Sequence, residues 1–185
     1  MKASDLEAEM FAAGRRVRQK HIDRMISLGV PGASIAVVGS LQVAFGIGSA
    51  SSDPAYFYQP GEGPAHVIMP VMSDGKMIDL IAWRSCNPAR WFWRTGTGWA
   101  LGTDYLGPRW GDEAVRLFAT PLEWLAGAGE GICILDWSAP EIRELAALDT
   151  IEAEEMVGRK LLGILSKPAR VPRINYRKVV RHAAA

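Results

Sequence analysis

Two carboxylates, Glu123 and Asp136, flank a segment whose pattern reads as strand, turn, short helix and strand (residues 114–137, AVRLFATPLEWLAGAGEGICILDW). Ligand sites in α/β units form at the carboxyl ends of such strands, where two acids can work as general acid and base. Each has a structural role open to it as well. Glu123 falls in a first helical turn, where negative charge complements the helix dipole, and Asp136 can cap the segment after it. Asp149, followed by Thr150 and Ile151, is a third acidic candidate ahead of a helical pattern. No nucleophilic triad is legible, because a GxSxG elbow is absent.

A second group of residues is suited to binding rather than to reaction. Trp83, Arg84, Arg90, Trp91, Trp93, Arg94, Trp99 and Arg109 crowd one part of the chain. Single-stranded nucleic acid is held by bases stacked on aromatic rings beside a cationic track. The same tryptophans can instead fill a core, with arginine stems packed across them. The tail from Lys167 adds Arg170, Arg173, Arg177, Lys178 and Arg181 without a single acid, and phosphate contacts of that kind supply sequence-independent affinity. Gly96-Thr97-Gly98-Trp99-Ala100-Leu101-Gly102 departs by one residue from the dinucleotide fingerprint and reads as a turn.

Composition sets the outer bounds. The chain has 185 residues, 49% of them hydrophobic and 22% charged, which is enough for one domain with a proper core. A net charge of +1 excludes a uniformly basic nucleic-acid binder but not a local patch. No apolar run nears the ~20 residues of a membrane span, and no signal-peptide core is seen, so the expectation is a cytoplasmic protein without a membrane partner. Cys86 and Cys133 lie far from each other and from His21, His66 and His182. That spacing fits no zinc site, and no metal ligand is assigned.

The elements that would position these residues follow from period and punctuation. A capping box at Ser4-Asp5-Leu6-Glu7 and an apolar stripe of Leu6, Met10, Ala13 and Val17 predict one N-terminal helix to about Leu28, within residues 1–30. Residues 31–166 read as a single core, first a short helix or strand and a strand, then a Ser/Pro/Gly-rich loop over residues 49–64. A tryptophan-rich antiparallel meander is expected over residues 65–102. Its hairpin turns at Ser73-Asp74-Gly75, and its third strand sets Trp91 and Trp93 on one face with Phe92 and Arg94 on the other. VRLFAT and ICILDW are predicted as parallel strands joined by a helix that starts at Pro121. Helices over residues 140–148 and 150–165 close the core, and residues 167–185 form a basic C-terminal tail. The expected class is α+β or α/β.

Three landmarks stand in a recognisable order: LGVPGASIAVVG, then IMPVMSDGKMIDLIAWR with an aromatic strand after it, then the strand–turn–helix around Ala119-Thr120-Pro121-Leu122-Glu123. Together they resemble the toprim catalytic core of bacterial and phage DNA primases. The resemblance spans about residues 28–165 and implies a toprim-like βαβ core in a reduced phage or prophage protein. It also implies where a magnesium site would lie, since the family uses a glutamate and an Asp-x-Asp pair. Here the glutamate position is Ala119 and the following glycine is Thr120. The two candidates for the pair, at Asp136 and Asp149, each lack their second carboxylate. Octahedral Mg²⁺ needs several carboxylate and water oxygens, so Mg²⁺ is disfavoured and no cofactor is expected. The resemblance therefore implies a non-catalytic nucleic-acid-binding or replication-associated accessory protein, its partner single-stranded nucleic acid or a replication or host protein. A protein–protein interaction module and a cryptic nucleotidyl- or phosphoryl-transfer enzyme are the alternatives.

Overall fold

The computed structural model describes residues 3–53, 55–107 and 114–167. The fold is α+β, with two four-stranded sheets and helices packed against both. The first sheet is an antiparallel meander of β1 (Gly46–Ser52), β2 (Tyr58–Ser73), β3 (Lys76–Arg84) and β4 (Asn87–Trp93). Its central hairpin turns where expected, with Asp74 and Gly75 both at positive φ (49° and 70°) and Ser73 paired with Lys76. Two positive φ values in a two-residue loop match the strands' right-handed twist.

Alternation along these strands splits their side chains between two apolar layers. Met69, Val71, Ile81 and Trp83 face one core with residues from three helices, α2 (Gln19–Ser27), α3 (Gly32–Leu41) and α4 (Pro121–Ala126). Ile68, Leu80, Ala82 and Phe92 face the other, against Leu6, Met10 and Ala13 of α1 (Ala3–Gly14). Trp83 is wholly buried, its indole N–H directed at the Met69 sulfur at 3.3 Å. Burying an aromatic side chain of ~200 Å² contributes about 5 kcal/mol of hydrophobic free energy. Trp83 is therefore core and not a binding surface.

The second sheet has the order β5 (Ala100–Leu101), β7 (Ile132–Ile134), β6 (Val115–Phe118), β8 (Ile151–Ala153). β6 and β7 run parallel, Leu117 opposite Ile132, with α4 between them in the chain, as expected for a strand–helix–strand unit. β5 is antiparallel to β7, so the chain leaves the meander by joining a new sheet. A third core forms where Leu117, Ile132 and Ile134 meet Ile142 and Leu145 of a 3-10 segment (Pro140–Ala147) and Val157 and Leu161 of α5 (Glu155–Leu165).

Three expectations are corrected. The N-terminal helix is two helices, broken at residues 15–18. Arg18 is extended (φ −133°, ψ 164°), and its guanidinium donates to the carbonyls of Arg15 and Val17 at 2.7 and 3.0 Å. Those two carbonyls lie past the end of α1, whose own carbonyls at Phe11, Ala13 and Gly14 accept from Arg15, Arg16 and Val17 N–H at 3.1, 3.1 and 3.0 Å. Most of the expected loop over residues 49–64 is strand, because β1 and β2 pair across it; the chain turns between Ser52 and Tyr58, and residues 61–64 fall out of register. Residues 151–153 form β8, parallel to β6, instead of opening the last helix. The tail beyond Lys167 and Arg109 lie outside the described residues.

Among the described residues no single helix is long and apolar enough to cross a membrane; α2 and α3 meet that test only as a pair bent by 120°. The junction between β5 and β7 depends on glycine. Gly102 has φ +73°, and a Cβ there would stand 2.0 Å from the Gly131 carbonyl oxygen. Gly102→Ala should cost about 2 kcal/mol or more and lower Tm by about 5 °C in a thermal melt. An unchanged Tm would contradict that close approach.

Candidate functional site

The parallel strands β6 and β7 end side by side at Ala119 and Leu135, and an open cleft of about 1030 Å³ lies at that edge. It collects residues from both sheets. β4 supplies Arg90, Trp91 and Trp93 on one side, and the first turns of α5 supply Met156, Val157, Arg159 and Lys160 on the other. Tyr56 and Trp137 complete the aromatic lining. Carboxyl ends of parallel strands make such crevices because helices leave the sheet there and open a gap.

Two of the tryptophans are held in place by their ring nitrogens. Trp91 donates its indole N–H to the Leu135 carbonyl at 3.3 Å, and Trp93 donates to the Gly98 carbonyl at 3.0 Å. Both rings are half-buried, so each is partly core and partly cleft wall. Alternation along β4 sends Phe92 to the opposite layer, as expected. Tyr56 sits at φ +66° in a turn closed by Asp53, whose carboxylate accepts from Phe57 N at 2.9 Å.

Among the described residues the charges lining the cleft are all positive: Arg90, Arg159 and Lys160, with no acidic residue beside them. Arg159 pairs with Glu155 one turn away, both on the exposed surface, which offsets part of its charge. The Lys160 ammonium lies 4.1 Å from the centre of the Trp137 ring, a cation–π contact, and partial burial holds its pKa below the ordinary lysine value. Arg90 spreads over the Tyr56 and Phe92 rings, 5.4 and 5.2 Å from their centres.

The acidic candidates do not assemble. Glu123 accepts from Ala119 N at 3.1 Å and from the Thr120 hydroxyl at 3.2 Å, while its own N–H donates to that hydroxyl. This is helix capping at the start of α4. Asp136 accepts from Ser138 N at 2.8 Å and its hydroxyl at 2.6 Å, closing a turn after β7. Asp149 precedes β8, and β8 is parallel to β6, so this exposed residue stands at the amino edge of the sheet, away from the cleft. The residues after β8 are Glu154 and Glu155. Among the described residues no group of three or more His, Cys, Asp or Glu side chains is placed to hold a metal.

The basic candidates scatter. Of the residues singled out from sequence, Arg90, Trp91 and Trp93 share the cleft. Arg94 points to the opposite layer, paired with Glu9 at 2.9 Å and bonded to Gln59 at 3.1 Å. Glu9 also accepts from the Tyr58 hydroxyl at 2.8 Å; burial first and that carboxylate second push the phenol's pKa up. Arg84 lines a separate, smaller pocket, and Lys167 lies past the far end of α5, where its carbonyl accepts from Arg143. Arg170, Arg173, Arg177, Lys178 and Arg181 lie outside the described residues. Sequence reading missed Tyr56, Trp137, Arg159 and Lys160. Their signal was the aromatic pair Tyr56-Phe57 and the basic pair on α5, each separated in sequence from the cluster.

Cys133 is fully buried beneath the strand edge, where burial raises its thiol pKa, with the Glu123 charge adding to the rise; it is an inert core residue. Comparison of the chain with family models, with curated proteins and with solved structures finds no match. What the molecule is must therefore be argued from its fold class, α+β, and from this cleft.

Proposed function

We propose that the cleft binds single-stranded nucleic acid, and that the chain is a non-catalytic, replication-associated accessory protein on a reduced toprim-primase-like scaffold of phage or prophage type, acting in the cytoplasm. The observation that carries this is the pairing of four aromatic rings with three cations in one cleft that, among the described residues, has no lining acid. Its volume matches the upper end of the ~300–1,000 Å³ range of ligand pockets, room for more than one nucleotide. Bases stack on the rings and phosphates run past Arg90, Arg159 and Lys160.

The parallel pair of β6 and β7 is the arrangement that the primase resemblance calls for. Ala119 and the self-satisfied Asp136 at its edge support binding without metal-assisted chemistry.

The test is fluorescence anisotropy with labelled oligo-dT across a salt series. Three phosphate contacts predict that log K falls against log salt with a slope of about −2. A duplex of equal length should bind more weakly, because its bases are already stacked. Failure to bind oligo-dT at low salt overturns the reading and turns attention to a protein partner.

A further inference from the structure

Arg90 has a second setting: it also lines a pocket of about 220 Å³ with Arg84 and His66. We propose that this pocket binds a phosphate monoester group, or inorganic phosphate, that carries one proton. The inference starts from His66, which is 2% exposed. Its Nδ1 lies 2.8 Å from the Pro64 carbonyl oxygen. A carbonyl only accepts, so Nδ1 carries the ring proton and Nε2 is a bare acceptor. That Nε2 is buried and has no partner among the described residues. A buried acceptor left unmet costs about 1–3 kcal/mol.

The ligand must therefore bring a donor. It must also bring negative charge, since neither Arg84 nor Arg90 is paired with a carboxylate among the described residues. Carboxylate and sulfate bring charge without a proton at neutral pH. An ammonium group brings a donor but is repelled by the guanidiniums. A phosphate monoester brings both as its monoanion, the main form below its second ionisation at about pH 6, which offers P–O–H to Nε2 and charged oxygens to the arginines. Asn87 and Ser52, on the same wall, supply further polar groups, and the Phe92 edge fixes the imidazole at 6.3 Å between ring centres.

Two sources share this chemistry: the terminal phosphate of a strand lying in the adjoining cleft, and free phosphate or a mononucleotide. Only the first rests on the cleft reading. Binding requires one proton in the pocket, so affinity should fall as pH rises through the bound group's second ionisation, about pH 6 for a monoester and higher for inorganic phosphate. Of the other ionisable groups on the pocket wall, Arg84 and Arg90 keep their charge throughout, and Cys86→Ser removes the third.

The experiment follows the His66 ring nitrogens by long-range ¹H–¹⁵N NMR in a Cys86→Ser background while inorganic phosphate is added. Phosphate should move the Nε2 signal, more at pH 6 than at pH 8. Arg84→Gln, an exposed position that should leave the fold intact, should weaken the response about tenfold or more, the loss expected for one charge-assisted bond. Oligo-dT with a terminal phosphate is then compared with its hydroxyl-terminated form. Tighter binding of the phosphorylated strand assigns the pocket to strand ends; equal binding with a phosphate response assigns it to free phosphate. Ring signals that stay fixed throughout the titration, or a response indifferent to Arg84→Gln, overturn the proposal. Loss of hydroxyl-terminated oligo-dT binding alone counts against the cleft reading and leaves the phosphate response as an independent result.

Discussion

Asp79→Ala is expected to destabilise the protein by about 4 kcal/mol or more, lowering Tm by about 10 °C. Asp79 is completely buried in β3 and its carboxylate accepts four backbone N–H groups. Oδ1 takes those of Leu80 and Thr95 at 2.8 and 2.9 Å; Oδ2 takes those of Thr97 and Gly98 at 2.8 and 3.2 Å. Three of these donors belong to the turn that carries the chain from one sheet to the other. Removing the side chain strands the Leu80 and Gly98 donors in the core and frees those of Thr95 and Thr97 at its part-buried edge, and unmet buried donors cost about 1–3 kcal/mol each. Asp79→Asn keeps the shape but turns an NH₂ group toward two donors, so it should recover less than half of the loss. The turn also presents the Gly98 carbonyl that holds the Trp93 indole, so Asp79→Asn should weaken oligonucleotide binding as well. A thermal melt with Tm within 2 °C of the parent, ~1 kcal/mol or less for a chain this size, would falsify the hub role of this carboxylate.

The meander was legible from its residues because period-2 alternation and an Asp-Gly turn constrain one another: a one-residue slip would move Met69, Ile81 and Trp83 into the wrong layer. The parallel strands were legible because ICIL is apolar throughout, as a strand covered on both faces must be. The break after Gly14 was hidden, since the apolar stripe runs on through Val17 and no proline marks a stop, while the last carbonyls of α1 accept from the backbone N–H groups of Arg15, Arg16 and Val17. β8 was hidden for a related reason. Ile151, Glu152 and Ala153 carry too little pattern to announce a strand, and only their pairing with β6 makes them one. Asp149, read as lying just ahead of the last helix, instead precedes β8 at the amino edge of the sheet. The cleft was half legible: Arg90, Trp91 and Trp93 lie together in sequence, whereas Tyr56, Trp137 and Lys160 meet them only through the packing of two sheets.

Those hidden members carry the second prediction. Trp137→Ala should weaken oligo-dT binding about thirtyfold, the middle of the ~1–3 kcal/mol that one stacked base contributes. In the unliganded protein the Trp137 face is covered by the Lys160 ammonium at 4.1 Å. On the proposed reading an incoming base takes that face while the ammonium turns to the neighbouring phosphate. Trp137→Phe should keep most of the affinity, which separates stacking from the ring's packing against the third core. Lys160→Glu should weaken binding by more than tenfold at low salt and make the salt slope shallower by about 0.7, the loss of one released counterion. Partial burial lowers the Lys160 pKa, so as pH rises its charge is lost before that of a fully solvated lysine. Affinity should therefore decline earlier on the alkaline side than arginine contacts alone allow. Lys160→Arg should remove that decline, because a guanidinium stays charged. Equal alkaline profiles for the parent and Lys160→Arg, or an unaltered salt slope in Lys160→Glu, would show that phosphate does not pass this residue.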